Sequence, residues 1–245
     1  MTKFDDVLLY QFGFFAPDSR LEPEPKIIAK LLKAFEGTDF MPTTISEMRL
    51  GPIAETRQQL HFVTMKADWS IEFEPHRISF NKKRISGTEI GTPLNFAKDV
   101  SDFCSRLSSV VSLTGNRLSY ATKGFLPEMQ TSDLVKIGTK LLTLPKFYLE
   151  HSPTEWTTRS VTRYETMIND NPELLNVITD INRIQGIRQE KTTAKEFDCI
   201  EIGFDINTFQ KNTKQRFQFN DAEVFMQEAT ALCQRLLDEI DEAIL

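Results

Sequence analysis

Pairs of carboxylates on one strand face are the first side chains in this sequence that could do chemistry. Glu72 and Glu74 lie two residues apart in WSIEFEPHRISF, and Glu201 and Asp205 lie four apart in FDCIEIGFDINTF. Alternate residues of a strand point to the same side, so either pair could bind a cation or exchange protons. The same spacing is typical of the solvated face of an antiparallel strand, and we favour that interpretation.

Arginines provide a second set of candidate ligands. Arg159 and Arg163 are four residues apart, with Val161 between them, in a Thr- and Val-rich segment that favours a strand. Two guanidinium groups on one face could bind an anionic partner or a nucleotide, and pairing with surface acids is the ordinary alternative. The sequence therefore predicts Arg159, Arg163, Glu72 and Glu201 as ligand-binding residues, with no catalytic residue and no metal ligand.

Cysteine, histidine and glycine usage narrows the possible chemistry. The three cysteines and three histidines are far apart and show none of the short spacings of a zinc site. An odd number of dispersed cysteines predicts reduced thiols and a cytoplasmic location. The sequence lacks the glycine-rich motifs of phosphate-binding loops and dinucleotide-binding folds. We therefore expect no cofactor, and we leave enzymatic activity open while favouring none.

Composition limits the partners. The chain has 29 Lys and Arg residues against 35 Asp and Glu residues, a net charge of −6, and 40 % hydrophobic residues, the balance of an ordinary globular protein. An acidic chain disfavours nucleic acid as a partner, because phosphate binding needs a basic surplus. No segment approaches the ~20 apolar residues that cross a bilayer. The expected partner is another protein or a second copy, in a homodimer formed through the last helix or an edge strand.

The secondary structure predicted from hydrophobic periodicity follows one plan twice. In the first half a strand at 7–15 precedes a helix that starts near Pro25, and strands follow at 43–50, 58–65 and 69–80. The last of these is bent or paired on itself around Pro75, because proline cannot occupy a central ladder. A second helix runs from Pro93 towards Gly115.

The second half repeats this order. A strand at 117–125 and a helix closed by Pro145 precede strands at 155–167, 174–187 and 197–209, and Asp221 caps a long amphipathic helix. We therefore predict an α+β fold, an antiparallel sheet with helices on one face. Two β-α-β-β-β-α pseudo-repeats, residues 1–115 and 116–245, would form one compact saddle-like or helix-grip-like unit.

Three segments resemble strands of an uncharacterised, sporadically distributed family of similarly sized bacterial proteins. They are Ile71–Asn81 with its internal RISFN, RYETMI at 163–168, and FDINTF at 204–209, and their order and spacing agree over roughly residues 70–245. Thr166 stands where the family usually has Asn, and Asn207 where it often has Asp. The family has no established activity, and its scattered occurrence implies an accessory or defence-linked role.

Two functions follow as expectations. The first is a non-catalytic cytosolic interaction or scaffold protein, because catalytic motifs are missing and the surface charge is ordinary. The alternative is a small-ligand or nucleotide-binding protein whose arginines and carboxylates line a sheet face. A flat polar face would favour the first function, and a convergent polar pocket would favour the second.

Overall fold

The computed structural model describes residues 4–49, 55–85, 89–190 and 193–244. The strands are β1 (Asp6–Phe15), β2 (Phe40–Arg49), β3 (Glu55–Thr64), β4 (Trp69–Glu74), β5 (Arg77–Lys83), β6 (Arg117–Phe125), β7 (Trp156–Ile168), β8 (Asn171–Glu190) and β9 (Thr193–Thr208). The helices are α1 (Pro25–Ala34), α2 (Pro93–Ser108), α3 (Thr131–Leu141), α4 (Lys146–Glu150) and α5 (Asp221–Ile244).

The strands form one antiparallel sheet in the order β2-β3-β4-β5-β1-β6-β9-β8-β7. The central strand β1 shows why the sheet has two unlike faces. Tyr10, Phe12 and Phe14 alternate along it and are buried. Tyr10 packs on α2 through Phe96, with ring centroids 5.3 Å apart. Phe12 packs on α5 through Phe225 at 6.2 Å. The helices therefore cover the face that carries the large apolar side chains.

Helix α2 shows how the sequence sets a helix against this sheet. The side chain of Thr92 accepts a hydrogen bond from the backbone N–H of Asn95, and Pro93 occupies the first turn, where its missing N–H costs nothing. Its buried stripe recurs at helical spacing and consists of Phe96, Ala97, Val100, Phe103, Cys104 and Leu107. This stripe packs against both the sheet and α5, the helix with which α2 makes its most extensive helix contact.

The predicted α+β class, with an antiparallel sheet and helices on one face, is confirmed. The predicted bend at Pro75 is a tight turn that divides the segment 69–80 into β4 and β5. The short helix α4 was not predicted, because none of its residues is buried and it therefore has no apolar stripe. In each half the first strand pairs with the last, β1 with β5 and β6 with β9. The duplication itself, and the division at residue 115, stay predictions.

Two further properties concern the surroundings of the chain. No helix among the described residues is both long and apolar enough to cross a membrane. Cys104, Cys199 and Cys233 are buried, and they form no disulfide with one another. Burial raises the pKa of the Cys104 and Cys233 thiols, so both behave as small apolar side chains.

Candidate functional site

The face of the sheet opposite the helices, called the open face below, carries a continuous row of mostly polar residues. Across the strands from β2 to β7 the row consists of Thr43, His61, Glu72, Ser79, Gly13, Ser119, Asn207, Asn176 and Arg163. Several of these side chains are buried although no helix covers them. Ser79 is fully buried and Asn207 is 7 % exposed. Neighbouring side chains on the open face must therefore lie across them.

Glu72, one of the predicted ligand-binding residues, is held by neutral neighbours. Its Oε1 accepts hydrogen bonds from Asn81 Nδ2 at 3.0 Å and from Ser70 Oγ at 2.9 Å. Asn81 in turn accepts a hydrogen bond from Gln11 Nε2 at 2.6 Å. Amide and hydroxyl donors therefore satisfy this carboxylate on the open face, as a structural network requires.

Glu201 and Arg159, two more of the predicted ligand-binding residues, are paired with opposite charges. Glu201 accepts from Lys123 Nζ at 2.8 Å and from Asn182 Nδ2 at 3.1 Å. Arg159 makes two bonds from one nitrogen to the Asp180 carboxylate, at 2.7 and 2.9 Å. The Arg159–Asp180 pair is largely exposed and contributes little free energy, whereas Glu201 is buried beside Lys123; both pairs occupy the groups that a ligand would need.

The four predicted residues do not form one site. Glu72 lies on β4 and Glu201 on β9, with β5, β1 and β6 between them, so four strand spacings of about 4.8 Å separate them by roughly 19 Å. Arg159 and Arg163 lie two strands beyond Glu201, on the edge strand β7. The structure therefore places all four residues on the open face but does not bring them together, because sequence spacing within a strand does not determine which strands become neighbours. That they bind a ligand stays a prediction.

A different group of residues does converge, and we call it the Phe15 cluster: Phe15, Arg77 and Arg117. The guanidinium carbon of Arg117 lies 3.7 Å from the centroid of the Phe15 ring, and that of Arg77 lies 5.6 Å from it. Gly13 makes room for this stack. A Cβ at Gly13 would lie 3.0 Å from the Phe15 ring and 3.4 Å from Arg77 Cδ. The cluster thus lies on the central strands of the open face, at the end of β1, because Gly13 has no side chain to exclude it.

The two arginines of the Phe15 cluster differ in charge compensation. Arg77 donates two hydrogen bonds to Glu74, at 2.8 and 2.9 Å. Arg117 makes no ion pair with any described residue, and its Nε is buried without a hydrogen-bond partner. Burial lowers the pKa of Arg117, the Asp205 carboxylate opposes that shift, and the charge of Arg77 adds to it. Arg117 is therefore a partly desolvated cation beside a second cation.

An unpaired arginine is exceptional in this protein. Among the arginines whose side chains the structure describes, all but Arg117 and Arg163 are ion-paired with a carboxylate. The paired ones are Arg20, Arg77, Arg84, Arg106, Arg159, Arg183, Arg216 and Arg235. Both exceptions lie on the open face and both stack on a phenylalanine. Arg163 lies over the ring of Phe209, with its guanidinium carbon 4.8 Å from the centroid. We call Arg163 and Phe209 the Phe209 pair.

A cavity of about 240 Å³ adjoins Arg117 at the end of strands β1 and β6. Its lining consists of residues 15–17, His76, Asn116, Arg117 and Gln210. The ring of Phe15 forms one wall, and the histidine and amide side chains supply polar groups. The cavity therefore combines an aromatic surface, hydrogen-bonding groups and an arginine that forms no ion pair with a described residue.

A second cavity, of about 270 Å³, lies near the hairpin between β7 and β8 and includes Arg216 and Glu173. Here the arginine is fully engaged. It pairs with Glu173 through two nitrogens, one of them at 2.8 Å, and it donates to the backbone carbonyls of Asn116 and Lys214. This arginine holds the 210–216 segment against β6 and β8, so its role is structural.

The sequence analysis did not single out Phe15, Arg117 or Phe209. One signal was present: the segment FGFF at 12–15 places a glycine inside a strand of aromatic residues. A glycine inside a strand often marks the close approach of another group, here the Phe15 ring and the Arg77 stem. The stacking partners come from β5 and β6, and no pattern within β1 identifies them.

The chain matches no family model and has no significant match among curated proteins. Among solved structures it is similar to a rolling circle replication initiator protein from Geobacillus stearothermophilus. The identity is 10 %, the TM-score is 0.29, and the alignment covers 92 % of this chain and 78 % of that chain. A TM-score of this size transfers no activity and no residue role, and none is taken from it.

Two predictions made from the sequence disagree with this comparison, whose neighbour is named a replication initiator. The first is the function prediction, a non-catalytic scaffold or else a small-ligand or nucleotide-binding protein whose site is formed by Arg159, Arg163 and Glu72 or Glu201. The second is the partner prediction, which preferred another protein or a second copy and disfavoured nucleic acid. Both are corrected here and carried no further. The prediction that disfavoured nucleic acid relied on the net charge of the whole chain, which does not describe the charge of any one surface. A total of −6 sums the whole chain, whereas Arg117 and Arg163 are local positive charges that form no ion pair with a carboxylate among the described residues.

Proposed function

We propose that this protein binds a phosphate-bearing ligand at the Phe15 cluster, with Arg117 as the residue that contacts the phosphate. The observation that carries the proposal is that Arg117 lacks a carboxylate partner in a chain where almost every other described arginine has one. A guanidinium group binds a phosphate through two parallel N–H···O bonds, which are stronger than bonds between neutral groups.

The environment of Arg117 favours an incoming anion. Its charge is partly removed from water, and Arg77 repels it, so a bound phosphate would relieve both costs at once. The Phe15 ring fixes the plane of the guanidinium in advance, which reduces the side-chain entropy lost on binding. The adjoining cavity of about 240 Å³ has room for one phosphate and a small attached group.

Isothermal titration with thymidine 5′-monophosphate and with thymidine tests this proposal. We expect the monophosphate to bind and thymidine to show no measurable binding, because the phosphate supplies the interaction. Arg117→Gln should weaken monophosphate binding about tenfold, the loss of one charge-assisted contact. Arg235→Gln is the matched control, because it removes the same charge from an exposed ion pair on α5. Equal affinities of wild type and Arg117→Gln would refute the proposal.

Two sequence-based expectations remain predictions alongside this one. The resemblance to the uncharacterised bacterial family has no finding for or against it. The cytoplasmic location is supported by the three cysteines, which form no disulfide with one another, as is typical of a reducing compartment.

A further inference from the structure

The Phe209 pair extends the proposed site across the open face. Phe15, Arg117 and the position of Phe209 follow one another across β1, β6 and the end of β9, and Arg163 reaches Phe209 from β7. Two strand spacings place Phe209 about 10 Å from Phe15. The open face thus carries two aromatic–arginine stacks at one level of the sheet, and each includes an arginine without a carboxylate partner among the described residues.

We infer that the phosphate-bearing ligand is a single-stranded polynucleotide that lies across β1, β6 and β9 and contacts both stacks; this inference rests on the proposed function. A polynucleotide matches the two stacks, because its phosphates and bases recur along the strand as the arginines and aromatic rings recur across the sheet. Each nucleotide supplies a phosphate for a guanidinium edge and a planar base for an aromatic ring or a guanidinium plane. A ligand with one phosphate would use Arg117 and leave Arg163 without a function.

The side chains between the stacks fit this ligand. Ser119 and Asn176 lie in the polar row beside the two stacks, and these half-buried side chains offer hydroxyl and amide groups to sugars and base edges, with the buried Asn207 between them. Asn176 donates to Asn207 Oδ1 at 3.2 Å, and Asn207 donates to Asp205 at 3.0 Å, so the amides are already oriented. The negative charge of Asp205 repels a phosphate placed next to it. The phosphates of the strand would therefore bind at Arg117 and Arg163.

The same geometry disfavours a duplex. Paired bases are stacked within a double helix and present only their edges, so neither ring could stack on them. Arg117 and Arg163, the two proposed phosphate contacts, also set the salt dependence. Neutralising two phosphates of a single strand gives a slope of log K against log salt concentration of about −1.4, from about −0.7 for each phosphate.

Fluorescence anisotropy with a labelled eight-nucleotide thymidine oligomer tests the inference on the full chain. We expect the oligomer to bind at least about tenfold more tightly than thymidine 5′-monophosphate, because a second stack is engaged. Arg163→Gln should weaken oligomer binding about tenfold and leave monophosphate binding unchanged. Arg159→Gln is the control on the same strand and face, because Arg159 is already paired with Asp180. A uridine oligomer run in parallel distinguishes RNA from DNA as the source.

Each outcome decides one of the two proposals. If Arg163→Gln leaves oligomer affinity unchanged, or if the oligomer binds no more tightly than the monophosphate, the polynucleotide inference is wrong and the phosphate site stands. Equal binding of a duplex of the same length also overturns the inference. If Arg117→Gln leaves monophosphate binding intact, the proposed function fails first and the inference falls with it.

Discussion

The buried ion pair between Arg183 and Asp198 gives the sharpest prediction on stability. Arg183 lies on β8 with its side chain 2 % exposed, whereas the side chain of Asp198 is 23 % exposed. Arg183 donates to the two Asp198 oxygens at 3.0 and 2.7 Å and to the backbone carbonyl of Pro153 at 2.9 Å. These bonds lower the pKa of Asp198. The ionised Asp198 carboxylate contributes its full stabilisation above the ordinary pKa of 3.8, and this contribution is lost as the pH falls through the lowered pKa. An experiment at pH 7 therefore measures the full contribution.

The unequal burial of the two partners predicts unequal costs of removing them. Arg183→Met leaves a carboxylate that water still reaches, so the free energy of unfolding should fall by about 3 kcal/mol, the lower end for a broken buried pair. Asp198→Ala leaves a guanidinium that is almost fully buried without its counter-charge, and the loss should be about 5 kcal/mol. Urea unfolding at pH 7, followed by circular dichroism, measures both values. A larger loss for Arg183→Met than for Asp198→Ala, or losses below about 1 kcal/mol in both, would refute this reasoning.

Two further predictions concern packing and pH. A Cβ at Gly115 would lie 2.8 Å from the ring of Phe14, which is fully buried, so Gly115→Ala should lower the free energy of unfolding by about 1–3 kcal/mol; a urea midpoint equal to that of the wild type would contradict the packing described here. Burial lowers the pKa of His61 below its ordinary value of 6.5, with Glu72 and Glu74 opposing the shift. The unfolded chain therefore binds the proton more readily, and stability should fall as pH drops below about 6.5. This dependence should be weaker in His61→Gln, as thermal melts at pH 7.5 and 5.5 would reveal.

Local pattern was sufficient to predict the elements of the fold and its class. The alternation of Tyr10, Phe12 and Phe14 defines the covered face of β1, and the periodic stripe of α2 defines the face that packs on it. Pro75 marks the turn between β4 and β5. The position of β1 between β5 and β6 was not predictable, because those pairings join residues that are far apart in the sequence and depend on how the whole sheet assembles.

The candidate site was less accessible to sequence reasoning. Arg163 was singled out by its spacing from Arg159, and the structure separates the two, because Asp180 pairs with Arg159 and Phe209 lies beneath Arg163. Arg117 stands at the start of its strand and has no neighbouring cation in the sequence. Its importance comes from the ring of Phe15 and from the lack of an ion pair with any carboxylate in the described part of the chain, and both are properties of three-dimensional neighbours.

The positions of the two tryptophans give the chain a pair of built-in optical reporters. Trp69 on β4 packs flat against Phe96, with ring centroids 5.1 Å apart, and is 7 % exposed. Trp156, the other tryptophan of the chain, begins β7 near the opposite edge of the sheet and lies against Gly138 of α3. Replacing either tryptophan with Phe leaves one fluorophore, which reports on one side of the sheet: the β4 side for Trp69 or the β7 side for Trp156. Coincident unfolding transitions from separate probes indicate cooperative unfolding. Comparing the unfolding curves of the two single-tryptophan variants by fluorescence therefore decides whether the two sides of the sheet unfold together or one after the other.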